Sequence, residues 1–283
     1  MPRLIRAHDN RNLPLVAPGD GAATRRCYFN LLRLHPGEAH ALRVPGCELL
    51  CVVLAGRVDI AVGTHRFPAV GGRADIWAGA ADSVYCGTGA EVTVRASPAG
   101  AEVAVAGGLC AGVFAPFRIA PGEVETVEVG SADTHSRRRI RHVLGQNGAG
   151  RSGSLLVSEL YGDAGSWSGY PPHKHDTDRL PDETDHEEIY HYRYRPESGF
   201  GAQFRYTDEG GGAAPEVVMT RHGDTYCIDR GYHPTLRAPG HEGYIFTILV
   251  GARHRGLVQY FDPTHAHLCT TIPGIQAMRD KFK

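Results

Sequence analysis

The chain never runs far without a breaker: its 283 residues include 36 glycines and 18 prolines, spread from end to end. Between them sit short runs rich in Val, Ile, Leu, Tyr and Phe, with no long stretch at the helical period. Such a chain is committed to antiparallel β structure. In the first half, CELLCVVLAGRVDIAVGTHRFPAVGGRADIWAGAADSVYCGTGAEVTVRAS predicts strands over 49–54, 57–62, 74–77, 83–85 and 91–95. Turn pairs such as Ala55-Gly56, Gly63-Thr64 and Gly71-Gly72 separate them. A similar series is expected over 188–194, 201–206, 217–221, 225–228, 243–250 and 257–261. Many short strands at regular spacing make a sandwich or barrel. The repetition, with Gly72-Arg73-Ala74-Asp75 echoed by Gly223-Asp224, predicts an all-β chain of two barrels. The polar stretch EVGSADTHSRRRIRHVLGQNGAGRSGS is the expected junction, dividing 1–130 from 131–283. Its basic run, Arg137 to Arg139 with Arg141, reads as a solvated edge or linker. Only 275–282 has a helical look.

Composition narrows the function. With 42% hydrophobic residues the chain can bury a sizeable core. Lys and Arg total 30 against 31 Asp and Glu, so no basic field is available to collect nucleic acid phosphates. The start, MPRLIRAHDNRNLPLV, lacks a secretory core, and no run approaches the roughly twenty apolar residues that span a bilayer. A cytoplasmic protein without a membrane partner is the expectation. Seven scattered cysteines without a Cys-x-x-Cys pair suit reduced, buried side chains. A homo-oligomer is left open. Of the 16 histidines, eleven lie at or beyond residue 142, which points to the second half for chemistry.

The sharpest local signal there is Tyr170-Pro171-Pro172-His173-Lys174-His175-Asp176. Residues i and i+2 of a strand share a face, so His173 and His175 aim two imidazoles at one point while Lys174 turns away. Further donors stand in His186-Glu187-Glu188-Ile189-Tyr190 and in Arg230-Gly231-Tyr232-His233-Pro234. Three imidazoles and a carboxylate make a divalent-metal ligand set, which zinc suits and manganese or iron could also occupy. Glu187 and Glu188 must face opposite ways on one strand. The set Glu188, Tyr190 and Tyr192 makes a polar pocket, whereas Glu187, Ile189 and His191 suit packing, so Glu188 is the expected ligand. Gln203 and Arg205 share a face on the next strand and are candidates to bind substrate hydroxyls and a carboxylate. A second His-x-His, His265 and His267, has no carboxylate strand after it and reads as a packing tail.

The order His-x-His, glutamate at a strand start, glycine-aspartate turn and Gly-x-His is similar to that of cupin (double-stranded β-helix, jelly-roll) barrels. More specifically, SWSGYPPHKHDTDRLPDETDHEEIYHYRYRPESGFGAQFRYTDE with HGDTYCIDRGYHPTLRAPGHEGYIFTILVG resembles the 5-deoxy-glucuronate isomerase family of bacterial myo-inositol catabolism. The first half resembles that family's metal-free N-terminal cupin more loosely. A related uronate isomerase of pectin catabolism carries a Glu-x-Tyr-x-Tyr strand, which Glu188, Tyr190 and Tyr192 match. Twelve residues separate His175 from Glu188, where most cupins have three or four. The resemblance implies a bicupin that isomerises 5-deoxy-D-glucuronate, a small-molecule uronate, to 2-deoxy-5-keto-D-gluconate. Glu187, Tyr190, Tyr192 or a metal-bound hydroxide would serve as acid/base on an enediol route. The alternatives are an iron-dependent cupin dioxygenase and a non-catalytic sugar-binding cupin.

Overall fold

The computed structural model describes residues 3–19, 23–207 and 214–281. It is built from two stacked β barrels. The first centres on a seven-stranded sheet whose long members, Cys47–Val62 and Val92–Leu109, pair antiparallel along most of their length. The first of these strands merges the expected strands 49–54 and 57–62, because the chain bulges at Val53/Ala55 and Gly56/Val58 and stays in the sheet, and the second runs well past the strand expected over 91–95. The stretch 74–77 is turn rather than strand: Asp75 takes the Trp77 amide at 2.8 Å, a local bond that competes with sheet pairing. Inside, Leu32, Leu49, Cys51, Val53, Val84, Val103 and Val105 pack into a dry core. The first barrel thus has apolar groups where its neighbour carries chemistry.

The second barrel has a seven-stranded wall that includes Glu125–Val129, Arg138–Leu144, Leu155–Gly162, Glu242–Gly251, His186–Arg195 and Thr225–Ile228. A four-stranded sheet lies in the same half, along with the small pair formed by His173–Lys174 and Tyr260–Phe261. The change of sheet falls near 121–123. Phe117–Ile119 pairs within the first barrel and Glu125–Val129 within the second, somewhat before the division expected at 130. Residues Leu4–Ile5 cross back to extend the second wall beside Thr225 and Tyr226. The helix Ile275–Lys281 matches the helical tail, whose Phe282 lies outside the described residues. No helix among the described residues is long and apolar enough to cross a membrane.

The barrels share a core. Phe29, Leu31, Leu50 and Val52 of the first meet Ile189, Cys227, Phe246 and Ile248 of the second in one buried cluster. Strand His186–Arg195 is therefore buried on both faces. Ile189, His191 and Arg193 turn toward the first barrel, where His191 meets Phe29 and Arg193 meets Glu102. Glu188, Tyr190, Tyr192 and Tyr194 turn toward the second barrel's interior, and this alternation fixes what the site contains.

Candidate metal centre and its cavity

His173, His175 and His233 are buried, and their ligand nitrogens lie within 4.8 Å of one another. They form a group that could hold a metal. Each Nδ1 faces a backbone carbonyl: Pro171 at 3.1 Å for His173, His186 at 2.9 Å for His175 and Gly231 at 2.8 Å for His233. Those bonds use the Nδ1 protons and leave the Nε2 lone pairs free to converge, as imidazole ligands require. Glu188 completes the cluster, its Oε2 3.2 Å from the Nε2 of both His175 and His233. His233 Nε2 is buried, with that carboxylate as its polar neighbour.

Electrostatics identify what is wanted there. Burial would push the Glu188 carboxyl up, but His175 and His233 outweigh it and hold it down to about 2. Burial lowers His173 well below the ordinary imidazole value, helped by His233 and His175. His175 goes the other way, because Glu188 overcomes its burial and draws a proton onto it. An anionic carboxylate among buried imidazoles calls for a cation, and a divalent ion can take the place of that proton.

The twelve-residue insertion organises these ligands. Glu183, fully buried, accepts Lys174 Nζ at 2.9 Å and the amides of Asp176 and Thr177. Lys174 does turn away from the cluster. Asp176 in turn accepts the Gly231 amide at 2.7 Å, tying the loop after His175 to the one that presents His233.

The remaining candidates separate. Tyr190 lines the cavity beside Glu188, and burial followed by that carboxylate's charge raises its phenol well above the ordinary range. Tyr192 stands one step back, donating to Gln203 Oε1. The Gln203 amide donates to the carbonyls of His233 at 2.9 Å and Phe204 at 2.8 Å, so it braces the His233 loop instead of facing a ligand. Arg205 pairs with Glu216 at 3.1 Å, away from the cavity lining. Glu187 leaves the acid/base role: it is on the opposite face, where Oε2 accepts the amides of Arg25 and Arg26 at 2.8 and 2.7 Å. His265 and His267 sit in a turn before the short helix Leu268–Thr271.

A model of the KduI/IolB family matches residues 4–268. The chain belongs to this family. A 5-deoxy-glucuronate isomerase of Geobacillus kaustophilus is 33% identical over 224 residues, covering 79% of each chain. One from Listeria monocytogenes is 31% identical, with 84% of this chain and 85% of that one covered. An IolB-like protein from Salmonella typhimurium superposes with a TM-score of 0.79 at 29% identity over 86% of this chain and 90% of that one. An oxalate decarboxylase variant from Bacillus subtilis, at a TM-score of 0.58 and 12% identity over 91% and 78%, shares the cupin fold.

Four polar residues of this KduI/IolB chain's cavity escaped the sequence reading. Arg138, taken as part of a solvated run, is buried and lines the cavity with His173, Glu188 and Tyr190. Arg137 and Arg139 do stay at the surface, paired with Asp163 and Glu128. Alternation along Arg138–Leu144 explains it: Arg138, Ile140 and His142 point inward. Thr247, Ser158 and Gln259, whose amide nitrogen lies 2.9 Å from His173 Nε2, complete the polar lining. Only Arg138 offered a signal, its place two residues before a buried Ile.

Proposed function

We infer that this chain is a metal-dependent aldose-ketose isomerase that converts 5-deoxy-D-glucuronate to 2-deoxy-5-keto-D-gluconate. The carrying observation is the convergence of His173, His175, His233 and Glu188, with all three Nδ1 atoms committed to carbonyls. The curated relatives named for this activity support the substrate. Those four residues would hold the ion, and zinc suits three imidazoles and a carboxylate best, with manganese and iron accepted by the same donors. When bound, the ion acts as a Lewis acid on the neighbouring oxygens where charge develops.

The reaction returns to C1 the proton taken from C2 and moves a hydroxyl proton from O2 to O1, so no redox cofactor is consumed. Tyr190 is placed to relay the hydroxyl proton, since its buried phenol, protonated beside Glu188, can donate to O1 and take back the proton that O2 gives up. Tyr192 and Gln203 serve by holding His233 in place. The apolar groups Ile140, Leu160, Leu249 and Leu257 limit water around the reacting carbons. Seven unpaired cysteines suit a reducing compartment such as the cytoplasm. The test is to load purified protein with zinc, manganese or iron, add 5-deoxy-D-glucuronate and follow ketose formation. Turnover that survives in Glu188→Gln, or none with any metal, would overturn the reading.

A further inference from the structure

Among the described residues three arginines are buried, Arg73, Arg138 and Arg237, and Arg193 is largely so. Arg73 meets Glu159 at 2.6 Å and Arg193 meets Glu102 at 2.7 Å. Arg138 and Arg237 are 2% and 3% exposed, and among the described residues neither forms an ion pair. Arg138 donates to the carbonyls of Ser136 at 2.9 Å and Tyr170 at 2.8 Å. Arg237 donates to Ser168 Oγ at 2.8 Å, while its Nε and Nη2 are buried without partners. Burial, and for Arg138 the charge of Arg237, lowers them to about 9 and about 10, so both remain cations at neutral pH. An uncompensated buried charge is strongly unfavourable. Such a group is set for an anion that arrives with the ligand.

The wall of the barrel says which part of a ligand that is. Register runs Arg138 opposite Gly162, then Ile140 opposite Leu160, then His142 opposite Ser158. Arg138, Ile140, Leu160 and Ser158 all line the cavity that holds the His173/His175/Glu188 cluster. Beside the cation comes one apolar rung, and beyond it a polar one. A 5-deoxy-uronate has the same order: carboxylate, methylene, then hydroxylated carbons.

We propose that Arg138 binds the substrate carboxylate, with Arg237 adding charge behind it, and that Ile140 and Leu160 receive the C5 methylene. This rests on the isomerase reading and deepens it to a specificity rule. The site selects a sugar acid over its neutral isostere, and the deoxy carbon over a C5 hydroxyl, which Ile140 and Leu160 would leave without a hydrogen bond.

Calorimetry with the metal-loaded protein tests this through binding alone. The probes are the C1-alcohol form of 5-deoxy-glucuronate, which cannot isomerise, and its C6 amide. The wild type should bind the acid roughly 100-fold tighter than the amide, and Arg138→Met should bind both alike. Arg138→Lys, which keeps the charge without the fork, should lose about tenfold on the acid and nothing on the amide, and it covers the case in which the Met variant does not fold. The C5-hydroxylated acid should bind the wild type about tenfold more weakly, a gap that Leu160→Thr narrows. No acid preference in the wild type, a preference kept by Arg138→Met, or unchanged acid affinity in Arg138→Lys would overturn the proposal. Acid selection that depends on Arg138 in a protein without ketose formation would leave this site standing and remove the isomerase reading.

Discussion

Glu187 and Glu188 are neighbours in the chain and serve opposite sides of one strand. Glu188 reaches His175 and His233 at 3.2 Å in the second barrel, and Glu187 receives the Arg25 and Arg26 amides from the first. Glutamine in place of each should therefore give different defects. Glu188→Gln should lose most of its metal, read by elemental analysis, while keeping the β circular-dichroism signature. Glu187→Gln should keep its metal and lose about 1–2 kcal/mol of stability, as expected for weakening charge-assisted bonds to two amides. Equal metal loss in both variants would contradict the assignment of faces.

Acid should destabilise the metal-free protein. His173, His186 and His191 are buried and held below the ordinary value, His186 down to about 4 by burial and then by His175. Between about 6.5 and 4 the unfolded chain protonates imidazoles that the native chain keeps neutral, so stability falls as pH drops through that window. His186 alone contributes roughly 3 kcal/mol. His175, raised by Glu188 against its burial, acts in reverse: its contribution is full below the unfolded value and is lost as pH rises through the folded one. Three groups oppose one. Urea midpoints of chelator-treated protein should fall from about pH 7 to about pH 4.5, and a level or rising midpoint would count against these burials.

Much of this was readable from local pattern. His173 and His175 share a face by simple alternation, and the tyrosines at 190 and 192 signalled which glutamate turned inward. What failed depended on partners far away in the chain. Glu187 has its role through amides about 160 residues earlier, and nothing near it records them. Gln203 does face inward as expected, but the His233 and Phe204 carbonyls occupy its amide. Arg138 sat among surface arginines, and its place two residues before Ile140 became readable as burial only once its strand was paired with Leu155–Gly162 and Glu125–Val129. Composition identified a basic run, and only register could divide it.

Arg73 and Glu159 join the barrels in a buried ion pair whose carboxylate also accepts the hydroxyls of Tyr244 at 2.9 Å and Tyr161 at 3.1 Å. Arg73→Met would leave that carboxylate buried without its cation, at a cost of about 3–5 kcal/mol. Because one core spans both barrels, unfolding should remain a single transition in the wild type and in the variant. Denaturant curves followed by fluorescence and circular dichroism should coincide. Two separated transitions would show that the shared core does not couple the halves.

Gly162 and Gly243 face each other across two strands, and the Arg237 guanidinium lies against both. A Cβ at Gly162 would stand 2.2 Å from Arg237 Cζ, and one at Gly243 would stand 2.3 Å from its Nε. Neither contact can exist, so Gly243→Ala must displace the guanidinium from its cradle or push the strands apart. The first response would expel a charge and the second would break ladder bonds, and either should cost about 2–3 kcal/mol, as overpacking does. Shortening the obstructing side chain separates this steric cause from loss of backbone freedom. Arg237→Ala alone should destabilise, since it empties a cavity and strips Ser168 of a donor, yet Gly243→Ala should cost much less in that background than in the wild type. A double-mutant cycle on urea midpoints measures the coupling, and additive effects would mean that the glycine is not there to admit Arg237.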